Sequence, residues 1–484
     1  MGTKEDLIQI VGSDNVVTDK CILETFRSDL SFHEGETPEY IVKPKSFDEV
    51  QRIVWLANEK GFPLVPCSSG GERFKGTTIP ETKGAVVVDF SSMKKIVRVD
   101  RRNKVAMVEP GVTFAELQAA VEKEGLRLEM PLLPKPEKSV VASLLEREPT
   151  TCPKYNWDAI DPLCCLELVL GTGDKFVTGN AAGPGTLEQQ WAAKQAQKVS
   201  MGPAQTDIGR IIQGSQGTLG LATWATIKLE VKPSIQKCYL VPANDLEDLI
   251  MFTYKMLWRK LPDHCLILNN INLSAITGVD HSGLPPWVLV YTISGLEYFP
   301  EDRISYMEEE IYEMASGFNV QPVQKLGGVS GDKLIGLLNK PGKAPYWKQS
   351  LKGGVKELFF LTTLDKSSEF VTIMHQKAVS HNFPKENTGI YIQPIRHGTG
   401  CHMSFNLMAD FNNAEEKDKV KILYDDAGKA FLEMGGFFSR PHGTLVDAIY
   451  SKCPDTVLAL KKVKNIFDPK GVMNPGKLCF GEEV

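Results

Sequence analysis

An α+β architecture is what this 484-residue sequence predicts, and three observations predict it. The first half alternates short apolar strand patterns with capped amphipathic helices. Two glycine-rich loops, at 68–76 and 213–223, each adjoin an apolar strand. Near 231–234 the texture changes to longer helical patterns and strands, and the end of the chain adds one more helix and a turn-rich tail.

Length and charge bound the answer. A chain of 484 residues suits two or three domains. Lys plus Arg number 55 and Asp plus Glu 60, a net charge of −5, so no electrostatic case exists for nucleic acid or an anionic membrane. With 42% hydrophobic and 24% charged residues the chain can build a large core. No apolar run reaches the roughly 18 residues of a membrane span. The N-terminus lacks a basic, apolar signal segment, so a cytoplasmic location is expected. The ten cysteines form no Cys-x-x-Cys, so no local zinc or iron–sulfur motif is written and reduced thiols are expected. Adjacent Cys164 and Cys165 read as small core residues of a strand.

The elements follow in order. Ser46 and Glu49 have capping-box spacing; Phe47, Val50, Ile53, Val54 and Ala57 then share one helical face, and Gly61 ends it. Residues 63–66, 84–90 and 105–111 read as strands. Thr113 and Glu116 open a second capped helix that Gly125 closes. Residues 163–170, a turn at 171–174 and 175–178 read as strand, turn and strand. A strand at 222–231 precedes the boundary. Beyond it, 287–294, 389–394 and 403–407 read as strands. Near the end, Val457, Leu458, Leu460, Val463 and Ile466 mark one side of a helix. No repeat or low-complexity segment is present.

Four motifs carry chemistry. Ser68-Ser-Gly-Gly-Glu-Arg-Phe-Lys-Gly76 exposes successive backbone N–H groups after a strand, which suits a pyrophosphate. The glycine turn at 213–223 does the same, and two such loops favour a dinucleotide lying between them over two plain turns. Neither is a Rossmann fingerprint or a P-loop. His397, His402 and His442 offer metal-type ligands, but a spacing of five puts His397 and His402 on opposite faces of an ideal strand, so no metal is assigned. Arg440 sits in the apolar setting of 437–443 and needs either a protein carboxylate or an anionic substrate.

Taken in order, the segments 40–46, 65–71, 108–113, 217–221 and 467–469, with the tail Asn474-Pro-Gly-Lys477, resemble the FAD-linked oxidases and dehydrogenases of the vanillyl-alcohol oxidase / p-cresol methylhydroxylase superfamily, from about residue 35 to 478. The resemblance implies a two-subdomain FAD-binding domain over 1–233, completed by 455–484, and an α+β cap domain with a central antiparallel sheet over 234–454. It implies that Ser68, Ser69, Gly70, Gly71, Glu72 and Gly76 wrap the pyrophosphate and that Gly217, Gly220 and Leu221 lie along the adenine end. Ser139 and Ser143 would run near the phosphates and ring, and Lys477 near the flavin edge. In some phenol-oxidising members a histidine after the cap sheet is covalently attached to FAD, and His402 falls on that position. The other attachment point of the family is Glu72 here. The tyrosines that hold a phenolate in those members are replaced by Ser439 and Lys75, the flavin-side acid is absent from 132–136, and the Glu-His-Gly stretch of the metal-binding hydroxyacid dehydrogenases reads Arg440-Pro-His-Gly443, without the glutamate.

These substitutions imply a cationic pocket in which Arg440 and Lys75 anchor a small anionic substrate. The reading is a FAD-dependent dehydrogenase that takes a hydride from an alcohol, benzylic or hydroxy-acid carbon, with His397, His442, Tyr391 or Glu72 as candidate general base. Electrons would pass to an acceptor protein: an electron-transfer flavoprotein, a cytochrome or an iron–sulfur subunit. A homo-oligomer is expected. The alternative is a flavin-bearing electron-transfer or scaffold subunit without substrate chemistry of its own.

Overall fold

The computed structural model describes residues 2–157, 161–179, 185–193 and 208–481. Three sheets organise it. The first comprises β1 (Val16–Val17), β2 (Tyr40–Val42), β3 (Leu64–Cys67) and β4 (Val86–Asp89), in the order β1-β2-β4-β3. β2, β3 and β4 are parallel, so a crossover must join β2 to β3. The helix Phe47–Lys60 supplies it, burying Val50, Ile53, Val54 and Ala57 and ending at Gly61 in the left-handed conformation. Ser46 Oγ accepts from the Glu49 N–H, but the Glu49 carboxylate turns to the Lys45 N–H, so only half of the expected capping box forms.

The second sheet holds β5 (Ile96–Asp100), β6 (Val105–Val108), β8 (Leu163–Leu170), β9 (Lys175–Val177) and β10 (Gly220–Lys228), antiparallel in the order β5-β6-β10-β8-β9. Its helix Phe114–Glu122 carries a complete capping box between Thr113 and Glu116. β7 (Leu126–Arg127) pairs with β11 (Glu230–Val231) as a ribbon.

The third sheet is antiparallel throughout: β12 (Ile235–Ala243), β13 (Cys265–Asn269), β14 (Trp287–Gly295), β17 (Gly354–Thr362), β18 (Thr388–Ile395) and β19 (Gly400–Ala409), ordered β12-β14-β13-β18-β19-β17. A short hairpin, β15 (Lys325–Leu326) with β16 (Val329–Ser330), sits beside it. Strand periodicity sorts its side chains. Leu358, Phe360, Ile390, Ile392, Met403 and Phe405 enter the largest core, shared with the helices Glu247–Trp258, Ser367–Ser380 and Ala414–Glu433. The alternating positions Glu357, Phe359, Tyr391, Gln393, His402 and Ser404 lie on the other face, and of these Glu357, Phe359 and Tyr391 line the site.

Two ties join these sheets. Arg127 binds Glu129 at 2.9 Å and Asp263, beside β13, at 2.7 Å. At the C-terminal end, the Leu64 N–H donates to Val472 O and the Asn474 N–H to Leu64 O, so the tail runs alongside β3. The helix Pro454–Phe467 departs from its sequence pattern. None of its residues is buried, and Leu458 and Ile466 are 56% and 67% exposed. Val463 and Phe467 pack against the second-sheet core and Val457 and Leu460 are half-buried, so the expected apolar stripe is only partly covered. No helix among the described residues is long and apolar enough to cross a membrane.

Candidate active site

A cleft with about 2220 Å³ of empty space, part of it open to solvent, is lined from all three sheets. Pro66 and Cys67 come from β3, Leu168 and Leu221 from β8 and β10, and Val355, Glu357, Phe359 and Tyr391 from the third sheet.

Both glycine-rich loops reach this cleft. Ser68, Ser69 and Glu72 line it, and Gly71 holds φ at +73°, where an added Cβ would also meet Glu137 Oε1 at 2.7 Å. Ser69 Oγ accepts from the Ser139 N–H at 3.1 Å, and Ser139 Oγ caps the helix Val140–Leu145, so one hydrogen-bonded unit positions loop and helix. Opposite, Gly214, Ser215, Gln216 and Gly217 line the cleft. Gly217 (φ +74°) packs on Pro66, and a Cβ there would lie 2.3 Å from the ring. Exposed backbone from two loops, with Val141, Ala142, Leu145, Leu168 and Ile212 as apolar lining, fits a dinucleotide: polar cradle for phosphates, apolar slot for rings.

The third-sheet wall holds the charged chemistry. The Leu361 and Phe437 N–H groups donate to each other's carbonyls, which docks 437–442 on the edge of β17. Arg440 is thereby buried, with its guanidinium carbon 4.0 Å from the Phe359 ring centre and Nη2 donating to His402 Nδ1 at 3.4 Å. Lys356 is 8% exposed, donates to Ser31 O at 2.6 Å, and stands over the Phe32 and Tyr424 rings. No carboxylate among the described residues lies within ion-pair distance of it. Burial lowers its amine to about 8, which nearby Asp29 and Asp425 only partly offset. Glu357 Oε1 accepts from Lys348 at 2.7 Å and from Ser404 Oγ at 2.9 Å. Burial pushes this carboxyl up, but Lys348 outweighs it and holds the group at about 2.

Several sequence expectations change here. Lys75 does line the cleft, but its ammonium binds Glu146 at 3.1 Å and Glu148 at 2.8 Å, and Lys138 binds the same two carboxylates. Its charge is therefore compensated, which counts against Lys75 as an anion anchor. Ser143 does not line the cleft; its hydroxyl donates to Glu148 at 2.6 Å within that quartet. His397 lies outside the cleft, in the turn between β18 and β19, with its N–H on Pro153 O, and so is no candidate base. His402 is fully buried and also absent from the lining; Phe359, Tyr391 and Arg440, which do line it, pack against its ring. A covalent bond from His402 to a flavin in the cleft is not supported by this arrangement. Burial, reinforced by Arg440, keeps His402 neutral. Lys477 lines a second cavity beside Gly76, where Gly76 O and Glu81 take its ammonium. Tyr391 lines the cleft, but its hydroxyl donates to Gln393 at 2.8 Å, and burial raises it well above its ordinary value.

Lys356, Glu357 and Lys348 were not legible as site residues. The alternation along 354–362 is a signal for Glu357 only, and it becomes informative once β17 is known to pair with β19; Lys356 has the opposite parity, and Lys348 lies outside the strand.

Comparison with known proteins agrees with this geometry. Residues 38–179 match the FAD binding domain model, and 369–478 match the C-terminal domain model of FAD linked oxidases. The chain is 25% identical to the glycolate oxidase subunit GlcD of Bacillus subtilis, covering 98% of this chain and 96% of that one. It is 24% identical to D-2-hydroxyglutarate dehydrogenase of Stutzerimonas stutzeri, with 98% of each covered. The solved 4-ethylphenol oxidase of Gulosibacter chungangensis shares the fold, with a TM-score of 0.85 at 17% identity over 99% of this chain and 97% of that one. The chain thus carries the FAD binding domain and the C-terminal domain of FAD linked oxidases, those of a FAD-linked oxidoreductase, on a fold shared with 4-ethylphenol oxidase.

Proposed function

We propose that this FAD-linked oxidoreductase is a dehydrogenase of a small 2-hydroxy carboxylate that delivers its electrons to a partner protein. The observation that carries the substrate class is Lys356, a buried cation on the cleft wall with no ion-paired carboxylate among the described residues. An uncompensated buried ammonium is costly, and an incoming carboxylate would relieve that cost. Arg440 lines the same cleft and adds a planar donor suited to carboxylate oxygens. The relatives named for glycolate and D-2-hydroxyglutarate support a hydroxy acid, and the naming of one as a subunit supports a protein acceptor.

The loops at 68–76 and 214–217 would hold the pyrophosphate of FAD. When bound, FAD supplies the hydride acceptor. The protein's part is to clamp the carboxylate with Arg440 and Lys356 and to receive the hydroxyl proton. Glu357 is the proposed proton acceptor: Lys348 and Ser404 both bind Oε1, which leaves Oε2 on a carboxylate ionised at all working pH values. A weak base suffices, because the hydroxyl becomes acidic as the hydride leaves.

The test mixes oxidised holoprotein with glycolate, D-lactate or D-2-hydroxyglutarate without oxygen and follows flavin bleaching. At least one acid should bleach it. Arg440→Ala should raise the half-saturating concentration by about 100-fold, the equivalent of roughly 3 kcal/mol for an anchor removed from a buried charge pair. Glu357→Gln should slow bleaching at saturation by about 100-fold. Bleaching by 4-ethylphenol alone would overturn the reading.

A further inference from the structure

His442 lines both the cleft and the second cavity, with the Phe359 ring packed edge-on against it and the Gln216 side chain hydrogen-bonded to it. Gln216 is held in an uncommon way. Its backbone adopts φ +54°, left-handed for a residue with a side chain. Asn474 Nδ2 donates to Gln216 O at 2.7 Å, and the tail residue itself is fixed through Leu64 O. The next residue, Gly217, is wedged on Pro66. The backbone from which the side chain projects is thus fixed by two other segments of the chain, the tail and β3.

The amide nitrogen of Gln216 donates to Pro441 O at 2.8 Å. A peptide carbonyl only accepts, so this contact fixes which end of the amide is NH₂. The same nitrogen lies 3.2 Å from His442 Nδ1. Nδ1 must then be the acceptor, and the proton of a neutral ring must sit on Nε2. His442 Nε2 is buried and has no hydrogen-bond partner among the described residues. Burial, with the positive charges of Lys75, Arg440, Lys356 and Lys477 around it, holds the ring well below its ordinary value, so it stays neutral.

We infer that Gln216 is a positioning residue that locks His442 in the Nε2–H tautomer, so that His442 offers the cleft a hydrogen-bond donor and not a general base. The expected acceptor is an electron-rich oxygen, either of the cofactor ring or of the substrate. This inference rests on the cleft being the reaction site proposed above. Its test needs no turnover, so the two can fail separately.

Holoprotein labelled with ¹⁵N-histidine would be examined by NMR, with His442 assigned by its loss in His442→Gln. A neutral ring with a proton on Nε2 and a bare Nδ1 at pH 7 is expected. A proton on Nδ1, or a charged ring, would overturn the inference. Gln216→Glu places a carboxylate at Nδ1 and should raise the ring's titration by about 1–3 pH units with Nδ1 protonated. An unmoved titration in folded Gln216→Glu would refute the positioning role; if that variant does not fold, the wild-type spectrum still decides the tautomer. Removing and restoring FAD, then adding oxalate, locates the acceptor. A shifted Nε2–H signal on FAD return marks the cofactor, and a shift on oxalate alone marks the substrate. No shift in either step would overturn the donor role.

Discussion

Lys75 and Lys356 line one cleft and are held in opposite ways. Lys75 belongs to a quartet with Lys138, Glu146 and Glu148, in which two positive and two negative groups cancel. Lys356 rests on a carbonyl and two aromatic rings, with its nearest acids too far for an ion pair. The difference teaches that a lysine in a ligand loop is not by itself a ligand group. What counts is whether the fold has already supplied its counter-charge. Lys75 stiffens the wall, and Lys356 is the proposed contact for an anion.

The largest expected effect comes from breaking the quartet. Lys75→Met leaves Glu146 and Glu148 sharing Lys138 alone and should cost about 3 kcal/mol of stability. Thermal unfolding should register it, and adding Glu148→Gln should recover much of the loss. A variant with wild-type unfolding but a raised half-saturating substrate concentration would reverse the two lysines' roles.

Lys356→Met should do the opposite. It removes a costly buried charge, so the unfolding temperature should hold or rise. The second-order rate constant for the hydroxy acid should fall by about 30-fold, near 2 kcal/mol for a lost charge-assisted hydrogen bond. Equal losses with charged and uncharged alcohols would show that Lys356 does not read the carboxylate.

The smallest effect is on pH dependence. The Lys356 amine lies at about 8 in the folded chain, below its unfolded value of roughly 10.4. Between these values the unfolded chain binds the extra proton, so this group's contribution to stability improves as pH rises. Its full penalty is present below about pH 8. Substrate affinity should run the other way and weaken above about pH 8, as the anchor loses its charge. Lys356→Met should abolish both trends, and a persisting affinity limb would assign it to another group.

The histidines divide along the same line as the lysines. His397, His402 and His442 fall within one stretch of the sequence that suggests a common site. In the fold, His397 occupies a turn outside the cleft, His402 lies behind Arg440 and Phe359, and only His442 reaches the lining. Conversely, Glu357 passed unnoticed as one acid in a strand, because its neighbours Lys348 and Ser404 come from other segments.

Some features needed the sequence alone. The Thr113–Glu116 box, the left-handed Gly61 and the two glycine-rich loops are decided within a few residues, because caps and backbone freedom act locally. The ordered set of motifs also sufficed for the family and the α+β class. The tertiary structure alone decided which charges are compensated, which histidine faces the cleft, and which side chain meets His442 Nδ1. Those properties depend on groups far apart in the chain, such as Lys75 with Glu148 and Gln216 with His442. Burial multiplies the weight of each such partner, and no local pattern records who the partner is.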